Sequence, residues 1–303
     1  MSSPISVLLP TVEPTAACEE VADQLGPADE LLIVHDAESD PVANHADELP
    51  GRTRTIRAGE PEGCSGKANA IAAGMEAARH DRLVWTDDDF HHPPDWLAGL
   101  RADYERHGPT SEVPVFVGRD PLAVLFEPIY VLNGTLGVSL ADIPWGGSVI
   151  FDRGDIDEDA FLADLRRTVS DDGLLMEYVE MTTVKRTRRV AIGGSLRETI
   201  ENQVRFTQIV RHHQPGGVVG QAVAGITVLL GCVLSPVLTA AVLTLAVGGI
   251  YAAFGVCRPT YLLAFPAVVL SVLFTPYTWS RRSFVWDGRR YRWHSKFDVT
   301  VVD

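Results

Sequence analysis

Lysine is scarce in this sequence. Lys67, Lys185 and Lys296 are the only three, and nearly all positive charge is carried by Arg. Across 303 residues, 26 Lys and Arg face 40 Asp and Glu, a formal net charge of −14. A chain so short of positive charge offers no basic surface for a phosphate backbone, so no nucleic-acid partner is expected. Cysteine is also sparse. Cys18, Cys64, Cys232 and Cys257 form no CxxC and no Cys/His metal spacing, which excludes a disulfide framework and a zinc site. The first ten residues lack a basic n-region, so Met1–Pro10 reads as a strand and not as a signal peptide. The polar part of the chain is therefore expected to stay in the cytoplasm.

What is present is unevenly spread. Residues 218–303 hold seven Arg or Lys against three Asp, leaving a charge of about −18 to the first 217 residues. The same C-terminal region contains three long apolar runs, Val218–Ser235, Val237–Val256 and Thr260–Trp279. Each is near the length of a membrane-crossing helix. Basic residues flank the region on both sides, which calls for both ends in the cytoplasm and an even number of crossings. Three runs are odd in number, so one is expected to lie at the interface or re-enter.

The first 200 residues alternate strand and helix signals. Ile5–Leu9, Leu31–Val34, Arg54–Arg57 and Leu83–Thr86 read as strands, and Ala16–Leu25 and Lys67–Arg79 as helices. Such alternation predicts an α/β fold with a mostly parallel sheet. Ligands of such sheets gather beyond the carboxyl ends of the strands. Thr11 with Glu13, then Asp36, then Asp87–Asp88–Asp89 stand at three of those ends.

Four local patterns carry chemistry. Three adjacent carboxylates at Asp87–Asp89 repel one another unless a cation joins them, and Mg²⁺ or Mn²⁺ prefers such oxygen ligands together with phosphate. An acidic surface turn is the alternative. Gly63–Cys64–Ser65–Gly66–Lys67–Ala68–Asn69–Ala70 opens a helix with a free N-terminus and a lysine, a setting for an anion, without the spacing of a P-loop. Asp171–Asp172 offers a carboxylate that could take a proton from a hydroxyl, or else caps a helix beginning at Leu174. Gln208–Ile209–Val210–Arg211–His212 ends an amphipathic helix, marked by Leu196, Ile200 and Val204, just before the apolar region. Arg211 there either pairs with phosphate or anchors the chain at the membrane.

In this order, Pro10–Glu13, Ile33–Asp36 with Ser39–Asp40, Gly66–Ala70, Asp87–Asp89, Asp171–Asp172 and Gln208-x-x-Arg211–His212 resemble the family-two inverting glycosyltransferases, in particular the membrane branch related to ceramide glucosyltransferase. The resemblance extends to Trp286–Asp287–Gly288–Arg289–Arg290–Tyr291–Arg292 after the apolar region. It implies a GT-A nucleotide-diphospho-sugar transferase domain over residues 1–195, an interfacial helix over 196–217, a transmembrane region over 218–280 and a basic tail over 281–303. It implies that Thr11, Glu13, Asp36, Lys67, Asp87 and Asp88 hold the nucleotide-sugar. Asp89, with Asp87, would bind Mg²⁺ or Mn²⁺. Asp172, and less so Asp171, would be the base, with Gln208 and Arg211 near the diphosphate. Trp145, Gly146, Gly147, Ser148 and His212 would line the sugar and acceptor pocket. The implied partners are a UDP- or GDP-sugar, a lipid or lipid-linked acceptor and the membrane. The sequence departs from that family's pattern in His35 and in His212, which stands where a Trp is usual. It also has no transmembrane helix ahead of the domain. Two other classes fit parts of the pattern: a nucleotidyltransferase that makes sugar nucleotides, and an inactive membrane adaptor of the same fold.

Overall fold

A computed structural model describes residues 3–302. A seven-stranded sheet occupies the first two thirds. Its strands are β1 (Ile5–Pro10), β2 (Glu30–His35), β3 (Thr53–Arg57), β4 (Arg82–Thr86), β5 (Thr110–Gly118), β6 (Ser148–Asp152) and β7 (Thr182–Ile192), in the order β3-β2-β1-β4-β6-β5-β7. The first four are parallel to one another, as the alternating pattern predicts. β6 runs antiparallel to both β4 and β5, which makes the sheet mixed.

The central strands read as unbroken apolar runs because both faces are covered. On one face, Ile5, Val7 and Leu9 of β1 pack with α1 (Ala16–Ala22), whose Cys18 and Val21 are buried. On the other, Leu8, Leu83 and Trp85 pack against Ile71 and Met75 of α2 (Gly66–Ala77). α3 (Trp96–His107) buries Trp96 and Leu100 on the first face. α4 (Pro121–Tyr130) continues through a π-helical turn into α5 (Val138–Leu140). α6 (Glu158–Leu165) and α7 (Asp171–Tyr178) return to the second face. α8 (Leu196–His213) leaves the sheet and leads to α9 (Pro215–Leu234), α10 (Pro236–Ala253) and α11 (Ala264–Ser280).

Four helical stretches among the described residues are long and apolar enough to cross a membrane. Three coincide with the predicted runs. The fourth, Pro121–Leu140, is inserted between β5 and β6, and nearly half of it is buried. α9 is bare by contrast, with Val233 and Leu234 each 82% exposed. A surface of this kind needs lipid or protein around it.

Both ends of the apolar region return to the sheet domain. Gln208 of α8 donates from Nε2 to the Arg281 carbonyl at 2.7 Å. Arg258, between α10 and α11, binds the buried Glu127 of α4 through Nε and Nη2, at 2.8 and 2.7 Å. Thr260 and the Gly118 amide also donate to Glu127. α11 lies along α4, where Ala267 and Val268 meet Phe126 and Ile129.

Residues 281–303, expected as a basic tail, contain an antiparallel sheet of β8 (Ser283–Trp286), β9 (Arg289–Ser295) and β10 (Asp298–Val302). Asp287 and Gly288 turn the β8–β9 hairpin with positive φ values of 49° and 72°, a type of turn that Asp-Gly favours. Phe284, Tyr291 and Trp293 are buried against Val204 of α8 and Val169. Alternation explains the charge: Arg290 and Arg292 face away from the inward Tyr291 and Trp293.

Candidate active site

The carboxyl ends of β1, β2 and β4 open onto one crevice, and the predicted polar groups stand along it. Asp87 follows β4 directly. Its amide donates to the Gly147 carbonyl at 3.3 Å, so the turn before β6 fixes where the acidic triplet begins. Lys67, in the first turn of α2, reaches across. Its Nζ lies 2.6 Å from Asp87 Oδ1 and 3.3 Å from Asp171 Oδ2. Ser65 caps that helix by accepting from the Ala68 amide, and its hydroxyl donates to the Val169 carbonyl at 2.7 Å. One residue thus ties the start of α2 to the segment that leads into α7.

The two glycines at 146 and 147 are there for room. A β-carbon at Gly146 would sit 2.5 Å from Asp171 Oδ2 and 3.2 Å from Lys67 Nζ. One at Gly147 would sit 2.3 Å from the Trp145 ring and 2.8 Å from Asp87 Oδ2. The backbone therefore presses directly on the Lys67–Asp87–Asp171 cluster. Burial, opposed by Lys67, holds the Asp171 carboxyl up at about 6. Asp89 is exposed, and partial desolvation in the cleft, then Asp87, raise its carboxyl against the opposing charge of Lys67. Asp88 accepts from the Thr11 hydroxyl at 2.5 Å, and its carboxyl is raised by burial against that bond. Glu13 is exposed at the mouth. Asp36 ends β2 and is held by Arg289 from the C-terminal sheet, Nη1 to Oδ2, at 2.5 Å.

α7 begins at Asp171, three residues before the predicted start, with Ser170 as its N-cap. Asp171 turns to Lys67, whereas Asp172 Oδ1 accepts from the Ser170 hydroxyl at 2.5 Å and the Gly173 amide at 2.7 Å. Asp172 also lines a cavity of about 360 Å³. Trp145, Phe126 of α4 and Phe206 of α8 share that wall, and Ala224 of α9 and Thr275 of α11 face them. The cavity is mostly apolar and lies between the sheet domain and the apolar helices.

Residues 15–131 match the family model of glycosyl transferase family 2. The match covers a little over a third of the chain and ends before β6, so Gly146, Gly147, Asp171 and Asp172 lie outside it. Among solved structures, the chain is similar to glucosyl-3-phosphoglycerate synthase from Mycobacterium tuberculosis in complex with Mn²⁺ and UDP-glucose. The identity is 17%, with 69% of this chain and 78% of that chain covered and a TM-score of 0.45. It is also similar to mannosyl-3-phosphoglycerate synthase from Rubrobacter xylanophilus, at 15% identity, 69% and 73% coverage and a TM-score of 0.43. A mycobacterial protein of solved structure matches at 18% identity over 62% of this chain, with a TM-score of 0.39, and the match spans 65% of that protein. No curated protein matches the chain by sequence.

Not every predicted site residue faces the crevice. Ser148 is fully buried, where it accepts from the Trp96 indole at 3.0 Å and donates to Glu112 at 2.8 Å. It belongs to the core because β6 turns it to the α3 face. Gln208 fastens α11, as described. Arg211 lies over the Trp279 ring, 5.7 Å from its centre. His212 stacks on Trp293, and burial drops its pKa to about 4, so it is neutral.

Arg205, six residues before Arg211 on α8, joins Lys67 in the field of the carboxylates. Burial lowers its pKa, and Asp172, Asp171, Asp87 and Asp89 oppose that. Its Nε is buried with no partner among the described residues, and its guanidinium lies 4.1 Å from the Trp286 ring centre. The sequence held a signal for it. Asn202-x-x-Arg205–Phe206 places a phenyl ring after the arginine, where Gln208-x-x-Arg211–His212 places an imidazole.

Proposed function

We propose that this chain is a membrane-bound inverting glycosyltransferase that moves a sugar from a UDP- or GDP-linked donor to a lipid or lipid-linked acceptor. The position of Asp172 carries the reading. Its carboxylate is on the wall of an apolar cavity bounded by α9 and α11, and its neighbour Asp171 belongs to the charged cluster with Lys67 and Asp87. An apolar acceptor entering between the helices would bring a hydroxyl to a base at the edge of a polar donor site. The acceptor hydroxyl loses its proton to Asp172 as its oxygen attacks the anomeric carbon. The bond from that carbon to the nucleoside diphosphate breaks on the opposite face, and the anomer inverts. Arg205 and Lys67 face the charge that builds on the departing diphosphate.

Asp87 and Asp89 stand two residues apart directly after β4, and carboxylate oxygens are the donors that Mg²⁺ and Mn²⁺ prefer. Asp89 and Asp87 would hold such a cation, and when bound it supplies neutralisation of the diphosphate charge.

The membrane arrangement follows from the two tethers. With Arg258 on Glu127 and Gln208 on Arg281, α9 and α10 form a hairpin that leaves the domain and comes back. Two crossings put the basic flanks on the cytoplasmic side together with the catalytic domain. α4 and α11 then lie at the interface.

The test is incubation of membranes containing the protein with UDP- and GDP-sugars and Mg²⁺ or Mn²⁺, followed by mass spectrometry of the lipids. Sugar on lipid with release of a nucleoside diphosphate is the expected result, absent in Asp172→Asn. Lipid that gains no sugar from any donor in the panel, or transfer that persists in Asp172→Asn, would refute the proposal.

A further inference from the structure

The β8–β9 hairpin reaches the far end of the crevice, away from the acidic triplet. β2 lies two strands from β4 in the sheet, which sets Asp36 about 10 Å from Asp87. If the phosphates lie at Lys67 and the triplet, the nucleoside lies at Asp36. Arg289 binds Asp36 there and turns its other nitrogen, Nη2, to Glu60 at 2.7 Å. The two bonds are unlike. Asp36 is 12% exposed, whereas Glu60 is 68% exposed, so the second is a surface pair worth little and readily exchanged. The strand that carries Arg289 is firmly seated. Tyr291 is buried, and its hydroxyl accepts from the Gly66 amide at 3.2 Å. A β-carbon on Gly66 would come within 3.0 Å of Arg289 Nη1.

We infer that Arg289 and Asp36 together read the nucleobase of the donor, so that the C-terminal sheet is part of the nucleotide pocket. This rests on the nucleotide-sugar reading above. Side by side, the pair presents a carboxylate that accepts and a guanidinium that donates. The matching ligand edge is a ring N–H beside a carbonyl. Uracil and guanine have that edge, whereas adenine and cytosine lack the ring N–H. On binding, Nη2 leaves Glu60 for the base carbonyl, while Nη1 keeps the Asp36 carboxylate aimed at the ring N–H.

Calorimetric titration of the full-length protein in detergent with UDP, GDP, ADP and CDP, each with Mn²⁺, tests the inference. The wild type is expected to bind UDP or GDP in preference to ADP and CDP. Arg289→Gln should weaken the preferred nucleotide by about 10- to 100-fold, the share of one hydrogen bond to a charged group, and leave inorganic pyrophosphate with Mn²⁺ unaffected. Arg289→Lys, which keeps the charge and loses the forked donor, should erode the same preference. Limited tryptic cleavage after Arg290 and Arg292, on the hairpin itself, reports whether the sheet remains docked in each variant. Unchanged affinity in both variants, with the sheet docked, overturns the role of Arg289 and leaves the transferase reading standing. A wild-type protein that binds none of the four nucleotides overturns both.

Discussion

Replacing Arg258 with Met should loosen the helical hairpin from the sheet domain, and the size of the effect can be worked out. Glu127 is 1% exposed, and four donor groups converge on it, two of them from Arg258. Removing one partner of a buried pair costs about 3–5 kcal/mol, because the other charge stays behind without its counterion. Arg258 is 31% exposed, so water stands in for part of the loss, and about 2–4 kcal/mol is the expected range. For a chain of this size that corresponds to a fall in melting temperature of about 3–6 °C. Glu127→Met combined with Arg258→Met removes both charges and should recover at least half of the loss, because a packed apolar pair has no desolvation cost to offset. The assay is thermal unfolding in detergent at fixed protein concentration, followed by near-ultraviolet circular dichroism. A single variant melting within about 2 °C of wild type, or a double variant no better than the single, would refute this account of the tether.

Four further outcomes follow from the site. Asp172→Asn should lower transfer by about 10²–10⁴-fold while donor nucleotide affinity, measured by titration, is unchanged. Gly146→Ala puts a β-carbon 2.5 Å from Asp171, and should destabilise by about 1–3 kcal/mol in chemical unfolding and reduce turnover with it. Arg205→Leu should reduce kcat more than donor KM, with Arg205→Lys intermediate, in steady-state assays with a labelled donor. Burial lowers the pKa of His92 to about 4 from an ordinary 6.5, and Glu20 opposes this. The unfolded chain therefore takes up a proton first, and stability should fall as pH drops from about 6.5 to 4, by up to about 3 kcal/mol. His92→Gln should flatten that slope in unfolding curves recorded across the window.

The parallel half of the sheet was legible because its strands are short apolar runs, each closed by a polar group, as in Leu83–Thr86 followed by Asp87. Gly66–Ala70 was legible as a helix start for the same local reason. α4 was not, since Glu127 interrupts its apolar character and only the fold shows that Arg258 neutralises it. The C-terminal sheet was hidden by its charge. Counting Arg289, Arg290 and Arg292 together suggests a tail, whereas the alternation with Tyr291 and Trp293 and the Asp287–Gly288 turn mark a hairpin. Arg205 and Arg211 lie on one helix six residues apart, and motif spacing alone does not say which of them faces the carboxylates. Ser148 shows the reverse case, a residue in a suggestive glycine stretch whose strand position sends it into the core.

The order of the chain gives the docked hairpin a consequence for biogenesis. Strands β8 to β10 are synthesised after α9, α10 and α11, yet they close over Asp36 and Gly66 from the first seventy residues. That wall is thus added only after the three apolar helices have left the ribosome. A nascent chain stalled before that point lacks the partners of Asp36 and Gly66.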